Sequence, residues 1–403
     1  MRNRFLLMSI IFLLIIPLLL GGWTKKKKKD KKPKKDKTEQ VETVAEKGDP
    51  WLVDLRAPYM KYTGVILFHY TGPEGQTATW PKHSLLLTES DAKKIKAGNY
   101  TIAVCWHSLE GAREKSMRQG ILDASEQYGL KIVKETDAKN DPGKQASLVE
   151  SLVAEKPDAI IAYPVDVATS ASTFKKAADA GIKLAFISDH PRGLIHGQDY
   201  VGIIAPNNND RALTAANFVA ELISKDTKIA LIDLDTDLWD IRFTDDLVRD
   251  TIKGRYPGIK ILADEKFKKP EEAGTVAAGV IERFPDIEGI YTSNALSAVP
   301  IASALQKAGR SDIKIITTNL SEEALINMAK VGNIIGTNAD TTYYIGVDAV
   351  ILACFGILGK EGPEFAVSPV MPVTKDKIRD AWSLTKRIPM SAELEKALQA
   401  AGL

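Results

Sequence analysis

Polar and aromatic side chains follow the apolar runs that recur through the body of this 403-residue sequence. Asp, Asn and Ser also favour turns, so turn formation alone would explain any one such position. Seven such polar segments together instead predict a polar cleft that binds a small polar ligand. Its carboxylates and amides would hydrogen-bond the ligand, and its aromatic rings would pack against it. The seven segments are Trp106–Ser108, Tyr163–Asp166, Ser188–His190, Asp233–Asp237, Ser293–Asn294, Thr318–Asn319 and Asn338–Asp340.

The motifs of cofactor, nucleotide and hydrolytic chemistry are missing from the sequence. No GxGxxG follows the first apolar run, and neither GxxxxGK[ST] nor GxSxG occurs. The acids Asp233, Asp235 and Asp237 resemble part of a calcium loop, but the Gly and distal Glu of that pattern are absent. We therefore predict no cofactor, no metal and no enzymatic activity.

The two cysteines, Cys105 and Cys354, lie in separate apolar stretches, and no CxxC occurs. With five scattered histidines, this spacing does not support a zinc site. We predict two buried free thiols, and a single disulfide in an oxidising compartment is the alternative.

The elements that must position the polar segments alternate between strand and helix. From Asn99 onward, short runs rich in β-branched residues alternate with helical periods, and the series begins again at Lys228. This alternation predicts an α/β fold with two parallel sheets, each covered by helices. Ligands of such sheets bind beyond the carboxyl ends of the strands, where the seven segments lie.

Charge divides the chain into a basic leader and an acidic body. Residues 1–40 carry twelve Lys or Arg and three acids, which leaves the remainder with a net charge of −7. An acidic body argues against nucleic-acid binding and against a DNA-binding regulator. Residues 1–24, with Arg2 and Arg4 before an uncharged apolar run, indicate a signal peptide or membrane anchor. Residues 25–48 are predicted to form a Lys-rich disordered tether, and the functional alternative is that its lysines are attracted to an anionic membrane surface.

Residues 49–98 form an N-terminal extension without an assigned role. Tyr62–Tyr70 and Ser84–Thr88 are predicted strands, separated by a turn at Gly72–Gly75.

Residues 99–385 resemble the type I periplasmic binding proteins, the ribose- and galactose-binding class that serves ABC importers. The resemblance is carried by Ile102–His107, Pro157–Asp166, Ala180–Ile182, Ile290–Asn294 and Ile313–Asn319. It implies two Rossmann-like lobes joined by a three-crossing hinge. The first lobe would comprise residues 99–205 and 341–372, and the second lobe residues 206–340 and 373–403. The crossings are expected near 205–209, near 338–342 and at about 372.

The resemblance also implies a set of ligand-binding residues in the first lobe. The loop after the first strand gives His107, Arg113 and Glu114, although an arginine on a helix surface is usually solvated. Tyr163 stands where the family often has Asn before Pro. Asp189–His190 replaces the family's Asp-Arg, which disfavours simple ribose as the ligand.

In the second lobe the corresponding positions are Trp239, Arg242, Asn294, Asn319 and Asp340. Asn294 is followed by Ala where the family has Asp. Such a set suits a sugar, because carboxylates, amides and guanidinium groups hydrogen-bond hydroxyls while aromatic rings cover the C–H face. The alternative is that Arg113 and Arg242 bind a carboxylate or phosphate group of the ligand.

The function implied is that of an extracytoplasmic solute-binding protein, which is membrane-anchored if the leader is an anchor and not a signal peptide. It would capture a sugar-like small molecule and deliver it to the ABC permease of the inner or cell membrane. The alternative is a receptor subunit that presents a signalling sugar derivative to a membrane sensor. Both use the same pocket, so the sequence does not separate them.

Overall fold

The computed structural model describes residues 72–236 and 238–403. The predicted leader, the Lys-rich tether, the Tyr62–Tyr70 strand and Asp237 therefore lie outside the described residues. Within those two ranges, no helix combines the length and the apolar character needed to cross a membrane.

Thirteen strands are present in the described part of the chain. In chain order they are β1 Ala78–Thr79, β2 Thr101–Trp106, β3 Lys131–Asp137, β4 Ala159–Ala162, β5 Lys183–Ile187, β6 Gly202–Pro206, β7 Lys228–Leu234, β8 Lys260–Phe267, β9 Gly289–Thr292, β10 Lys314–Thr317, β11 Ile334–Asp340, β12 Phe365–Ser368 and β13 Val370–Val373.

The α-helices of the same ranges alternate with these strands. They are α1 Pro81–Ser84, α2 Glu89–Ala97, α3 Ala112–Tyr128, α4 Pro142–Glu155, α5 Ala171–Asp179, α6 Asn208–Phe218, α7 Trp239–Arg255, α8 Ala273–Arg283, α9 Ala295–Lys307, α10 Glu322–Ala329, α11 Thr342–Ile357, α12 Ile378–Thr385 and α13 Ala392–Ala400. One π-helical turn, Val219–Ile223, continues α6, and 3-10 turns span Pro270–Glu272 and Lys375–Lys377.

Two sheets form the cores of two lobes. The first has the strand order β1-β12-β6-β5-β4-β2-β3 and is parallel throughout. The second has the order β13-β11-β10-β9-β7-β8 and is parallel except for the antiparallel pair β11–β13. Helices cover the strands on both faces, so a central strand such as β4 is buried at every residue. The predicted α/β fold with two lobes is confirmed.

Local signals in the sequence account for many of the element boundaries. Asp141 caps α4 by accepting a hydrogen bond from the backbone N–H of Lys144, and Pro142 occupies the first helical turn. Gly129 ends α3 with a φ of 68°, a left-handed conformation that glycine adopts without a Cβ clash.

The chain passes between the lobes three times. The crossings join β6 to α6, β11 to α11 and β12 to β13. The last crossing lies at Pro369, ahead of the expected position near 372, because β13 already pairs with β11 of the second sheet. Residues 370–372, which the predicted boundary assigned to the first lobe, are therefore in the second sheet.

The described part of the N-terminal extension completes the first lobe. Strand β1 pairs with β12 at the edge of the first sheet, and Leu85 and Ile95 join its hydrophobic core. The predicted strand Ser84–Thr88 is wrong: Ser84 ends α1, and the Thr88 side chain instead caps α2 by accepting a hydrogen bond from the Asp91 backbone N–H. A threonine that precedes acidic residues favours helix initiation over strand pairing.

Both cysteines are free and buried, as predicted. Cys105 and Cys354 belong to different hydrophobic clusters of the first lobe. Burial raises the pKa of the Cys105 thiol to about 11 and that of Cys354 to about 12, so both stay protonated near neutral pH.

Candidate functional site

His107 and Tyr163 meet where two neighbouring strands of the first lobe end. Strands β2 and β4 pair in register, and the Tyr163 N–H donates to the carbonyl of Cys105 at 2.9 Å. The two rings lie with their centroids 3.9 Å apart. The buried side chain of Gln145 fixes the loop by donating to the carbonyl of Tyr163 and accepting from the N–H of Val165.

Arg113 and Glu114, on the first turn of α3, lie beside these rings. The guanidinium carbon of Arg113 is 5.9 Å from the centre of the Tyr163 ring. Glu114 Oε1 is 3.8 Å from His107 Nε2. Arg113 is not a solvated surface arginine, because its Nε and Nη2 atoms are buried. Helix α3 begins at the lobe boundary, where its first residue, Ala112, packs against the hydrophobic core of the second lobe.

Asp340 forms a buried ion pair with Arg211 where two of the crossings lie side by side. Asp340 ends β11, and Arg211 is on the first turn of α6. Arg211 Nη2 donates to both carboxylate oxygens, at 2.8 and 2.9 Å, and each side chain is only 3% exposed. Asp340 was predicted from its position after a strand, but Arg211 was not. The sequence signal for Arg211 is the polar run 207–211 after an apolar strand.

Asn319 is connected to this pair through Asn338. The Asn319 N–H donates to Asn338 Oδ1 at 3.2 Å, and Asn338 Nδ2 donates to the carbonyl of Arg211 at 3.1 Å. Asn319 adopts a left-handed backbone with a φ of 66°, which asparagine tolerates better than most residues. Its carbonyl accepts from Thr337 Oγ1 at 2.6 Å, so the strained turn is held from both sides.

The remaining predicted residues of the second lobe divide between cleft and surface. Trp239, the first residue of α7, stacks on Phe243 at 5.1 Å, and both rings pack against a hydrophobic cluster of the first lobe. Arg242, one turn further along, is exposed. Asn294 caps α9, because its Oδ1 accepts from the N–H and the Oγ–H of Ser297.

Asp189 and His190 face the N-terminal segment. The His190 ring is 2% exposed and lies 4.9 Å from the Tyr200 ring, and its Nε2 is 3.6 Å from a carboxylate oxygen of Glu74. Asp189 accepts a hydrogen bond from the His190 N–H and is partly exposed. These contacts group the two residues with Glu74 and Tyr200.

Burial and neighbouring charges set the protonation states of the site. Burial, together with the nearby Arg113, lowers the pKa of His107 to about 4, so its imidazole is neutral at pH 7. Burial alone would raise the pKa of Asp340, but Arg211 and Arg113 hold it below its ordinary value. Burial also raises the pKa of the Tyr163 hydroxyl. The site therefore combines neutral rings with a fixed carboxylate and fixed guanidinium groups.

Lys386 is a further buried charge that sequence analysis missed. It follows α12, is 3% exposed, and its Nζ lies 3.3 Å from Thr342 Oγ1 at the second crossing. Burial lowers the pKa of Lys386 to about 8. One lysine among many surface lysines gives no sequence signal of burial.

Several buried polar atoms of the site have no hydrogen-bond partner among the described residues. They are His107 Nδ1, Arg113 Nε and Nη2, Asn207 Nδ2, Arg211 Nε and Asn319 Oδ1. Buried polar atoms are normally paired, and these six come from both lobes and from the crossings. The arrangement suits a polar ligand that satisfies donors and acceptors from both sides at once.

Asp233, one of the acids that resemble part of a calcium loop, is paired with an arginine. Asp233 Oδ2 accepts a hydrogen bond from Arg249 at 2.7 Å. No group of three or more His, Cys, Asp or Glu side chains within residues 72–236 and 238–403 has the arrangement of a metal site.

Proteins of known structure and sequence resemble this chain over most of its length. The ribose import binding protein of Bacillus subtilis is 24% identical over 249 residues, which cover 59% of this chain and 76% of that protein. The D-apiose import binding protein of Actinobacillus succinogenes is 24% identical over 305 residues, covering 72% and 94%.

A solute-binding protein of an ABC transporter from Agrobacterium vitis, crystallised with α-D-tagatopyranose, has the same fold. It aligns with a TM-score of 0.61 and 23% identity, over 72% of this chain and all of that one. The sequence profile of the periplasmic binding protein domain matches residues 102–361, which is well over half of the chain. The chain therefore belongs to the periplasmic binding protein domain family.

Proposed function

We propose that this protein captures a sugar or sugar derivative in the cleft between its lobes and delivers it to an ABC importer. Membership of the periplasmic binding protein family implies an extracytoplasmic location. The observation that carries the proposal is the set of buried, unpartnered polar atoms contributed by both lobes. A hydroxyl-rich ligand both donates and accepts, so it can satisfy all of them.

The ligand-binding residues in this proposal are those gathered at the carboxyl ends of the strands. His107, Arg113, Glu114 and Tyr163 act from the first lobe, and Asn319, Asp340 and Trp239 from the second, with Arg211 added. Trp239 and Tyr163 offer ring faces to the C–H surface of a sugar. Asp189 and His190 line the first-lobe side, while Asn294 and the exposed Arg242 contribute at the margin.

Binding is proposed to favour the closed arrangement of the lobes. Arg211 and Asp340 lie next to two crossings, where a small backbone rotation changes the distance between the lobes. A ligand that contacts both lobes has more contacts in the closed form and therefore shifts the population toward it. No bond is made or broken in this cycle, so the proposal contains no catalytic step.

The proposed partners are the permease of an ABC importer and, through the basic leader, the membrane surface. Similarity to import binding proteins supports the first. The lysine-rich stretch after the apolar leader supports the second, because clustered lysines are attracted to anionic head groups.

A thermal-shift screen of the full chain tests the proposal. The ligands are aldoses, ketoses, polyols and sugar acids. A true ligand at a hundredfold excess over its dissociation constant stabilises the protein by about 2.7 kcal/mol. We expect a shift with at least one compound, reduced in Tyr163→Ala and retained in Arg310→Ala, whose side chain pairs with Asp312 away from the cleft. No shift with any compound in a cooperatively melting sample would contradict sugar binding.

A further inference from the structure

Arg113 has one edge of its guanidinium group buried in the cleft without a partner. Nε and Nη2 are both buried and make no hydrogen bond within the described residues. The two N–H groups on this edge point the same way, which is the geometry that receives the two oxygens of a carboxylate. Arginine donates but cannot accept, so whatever fills this edge must be an acceptor.

The same edge of three other arginines in this chain is filled by a carboxylate. In each case Nε and Nη2 face the two oxygens of one acid at 2.8–3.2 Å. The pairs are Arg118–Glu135, Arg249–Asp264 and Arg310–Asp312. Those three are at least partly exposed to water, whereas the unpartnered edge of Arg113 is buried, where an unsatisfied donor costs most.

Three acids lie close enough to Arg113 to act on its charge, namely Asp340, Glu114 and Asp240, and none of them is hydrogen-bonded to its Nε–Nη2 edge. Asp340 is held by Arg211 through both oxygens. Glu114 is directed toward His107, 3.8 Å from its Nε2. Among the ion pairs of the described residues, none joins Arg113 to any of these three acids. No described residue therefore supplies an acceptor to this edge of Arg113.

We propose that Arg113 binds the carboxylate of an acidic sugar derivative, a uronic or aldonic acid, through its Nε and Nη2 atoms. This inference rests on the proposed sugar-binding function and narrows it to one ligand class. A single hydroxyl would satisfy only one of the two donors, whereas a carboxylate satisfies both.

Isothermal titration calorimetry with matched neutral and acidic sugars tests this inference on the full chain. The probes are D-galactose with D-galacturonate, and D-glucose with D-glucuronate and D-gluconate. We expect one acid to bind at least about tenfold more tightly than its neutral parent. Arg113→Lys keeps the charge but loses the two-donor edge, and it should weaken that acid by about 10- to 100-fold. Arg118→Lys, on the same helix and paired with Glu135, is the matched control and should change affinity less than about twofold.

Three results would overturn the inference, and they differ in whether sugar binding is still supported. If the neutral sugars bind more tightly than the acids and Arg113→Lys leaves these affinities unchanged, the ligand is not an acidic sugar, but sugar binding is still supported. Preference for galactose-1-phosphate or glucose-6-phosphate over the sugar acids would replace the carboxylate by a phosphate. If neither these probes nor the wider sugar panel bind to a protein with unaltered far-UV circular dichroism, the sugar-binding function itself is contradicted.

Discussion

The ion pair between Arg211 and Asp340 is the residue-scale feature on which the site depends. Asp340→Asn should destabilise the protein by about 3–5 kcal/mol, because it leaves the buried Arg211 cation without its carboxylate. Urea unfolding measures the loss. Asp312→Asn is the matched control, since it breaks a pair with the more exposed Arg310 and should cost at most about 1 kcal/mol. Equal losses in the two variants would contradict a buried, uncompensated charge at Arg211.

The buried Lys386 gives a pH-dependent prediction at the same scale. Its pKa in the folded protein, about 8, lies below the ordinary value of 10.5, so the unfolded chain binds more protons between these pH values. The cost of burying the charge is full below pH 8 and is relieved as the pH rises toward 10.5. Lys386→Met should therefore stabilise the protein at pH 7 by on the order of 3 kcal/mol, with the gain shrinking above pH 8.

Chemical unfolding of wild type and variant at pH 7, 8, 9 and 10 checks this prediction. Lys307→Met replaces an exposed lysine at the end of α9 and serves as the control. A gain from Lys386→Met that stays constant over this pH range would show that packing, and not charge burial, causes it.

At the residue scale the sequence predicted positions better than orientations. The positions of Asn319 and Asp340 could be predicted because parallel strands bring their carboxyl ends to one edge of the sheet, whatever element follows each strand. The burial of Arg113 and the exposure of Arg242 could not be predicted, because the exposure of a helical residue depends on how the two lobes meet. Arg211 was missed for the same reason: its burial depends on β11, over a hundred residues later in the chain.

Helices α3 and α11 approach each other through two glycines, a feature of the element scale. A Cβ on Gly120 would lie 2.0 Å from the carbonyl oxygen of Tyr343, and one on Gly346 would lie 2.0 Å from that of Met117. Gly346→Ala should therefore force the helices apart and cost about 1–3 kcal/mol or more. Gly279→Ala, in α8 with no neighbouring atom within 4 Å, should instead stabilise by about 0.5–1 kcal/mol.

Thermal unfolding of the two variants checks the sign of each change. Destabilisation by both would mean that the glycines act through something other than the contact between α3 and α11.

The predictions of strands and helices were right where the spacing of apolar residues is regular and wrong where that spacing changes. The βα alternation predicted both sheets, because strands buried on two faces form continuous apolar runs such as Ala159–Ala162. The segment Ser84–Thr88 was predicted to be a strand because its apolar residues are too few to distinguish helical spacing from strand spacing. The last crossing was placed too late, because the antiparallel pairing of β13 with β11 is a long-range contact without a local signal.

At the scale of the whole molecule, Trp239 reports on the arrangement of the lobes. Its ring belongs to α7 of the second lobe but packs against a hydrophobic cluster of the first. Ligand binding should therefore change the intrinsic tryptophan fluorescence, and Trp239→Phe should remove most of that change. Trp382→Phe, which alters the second-lobe core where the indole donates to Ile388, should retain it. A ligand-dependent signal that survives intact in Trp239→Phe would place the movement elsewhere.

The central claim is that one ligand is held by both lobes at once. The most direct test is calorimetric titration of the best-binding sugar from the thermal-shift screen into the full chain and into one variant of each lobe. His107→Ala removes a first-lobe contact, and Asn319→Gly removes a second-lobe amide while keeping the left-handed backbone. The predicted result is one ligand per chain, with affinity lowered about tenfold or more by either substitution alone. A different stoichiometry, or an affinity that depends on one lobe only, would contradict the clamp between the lobes.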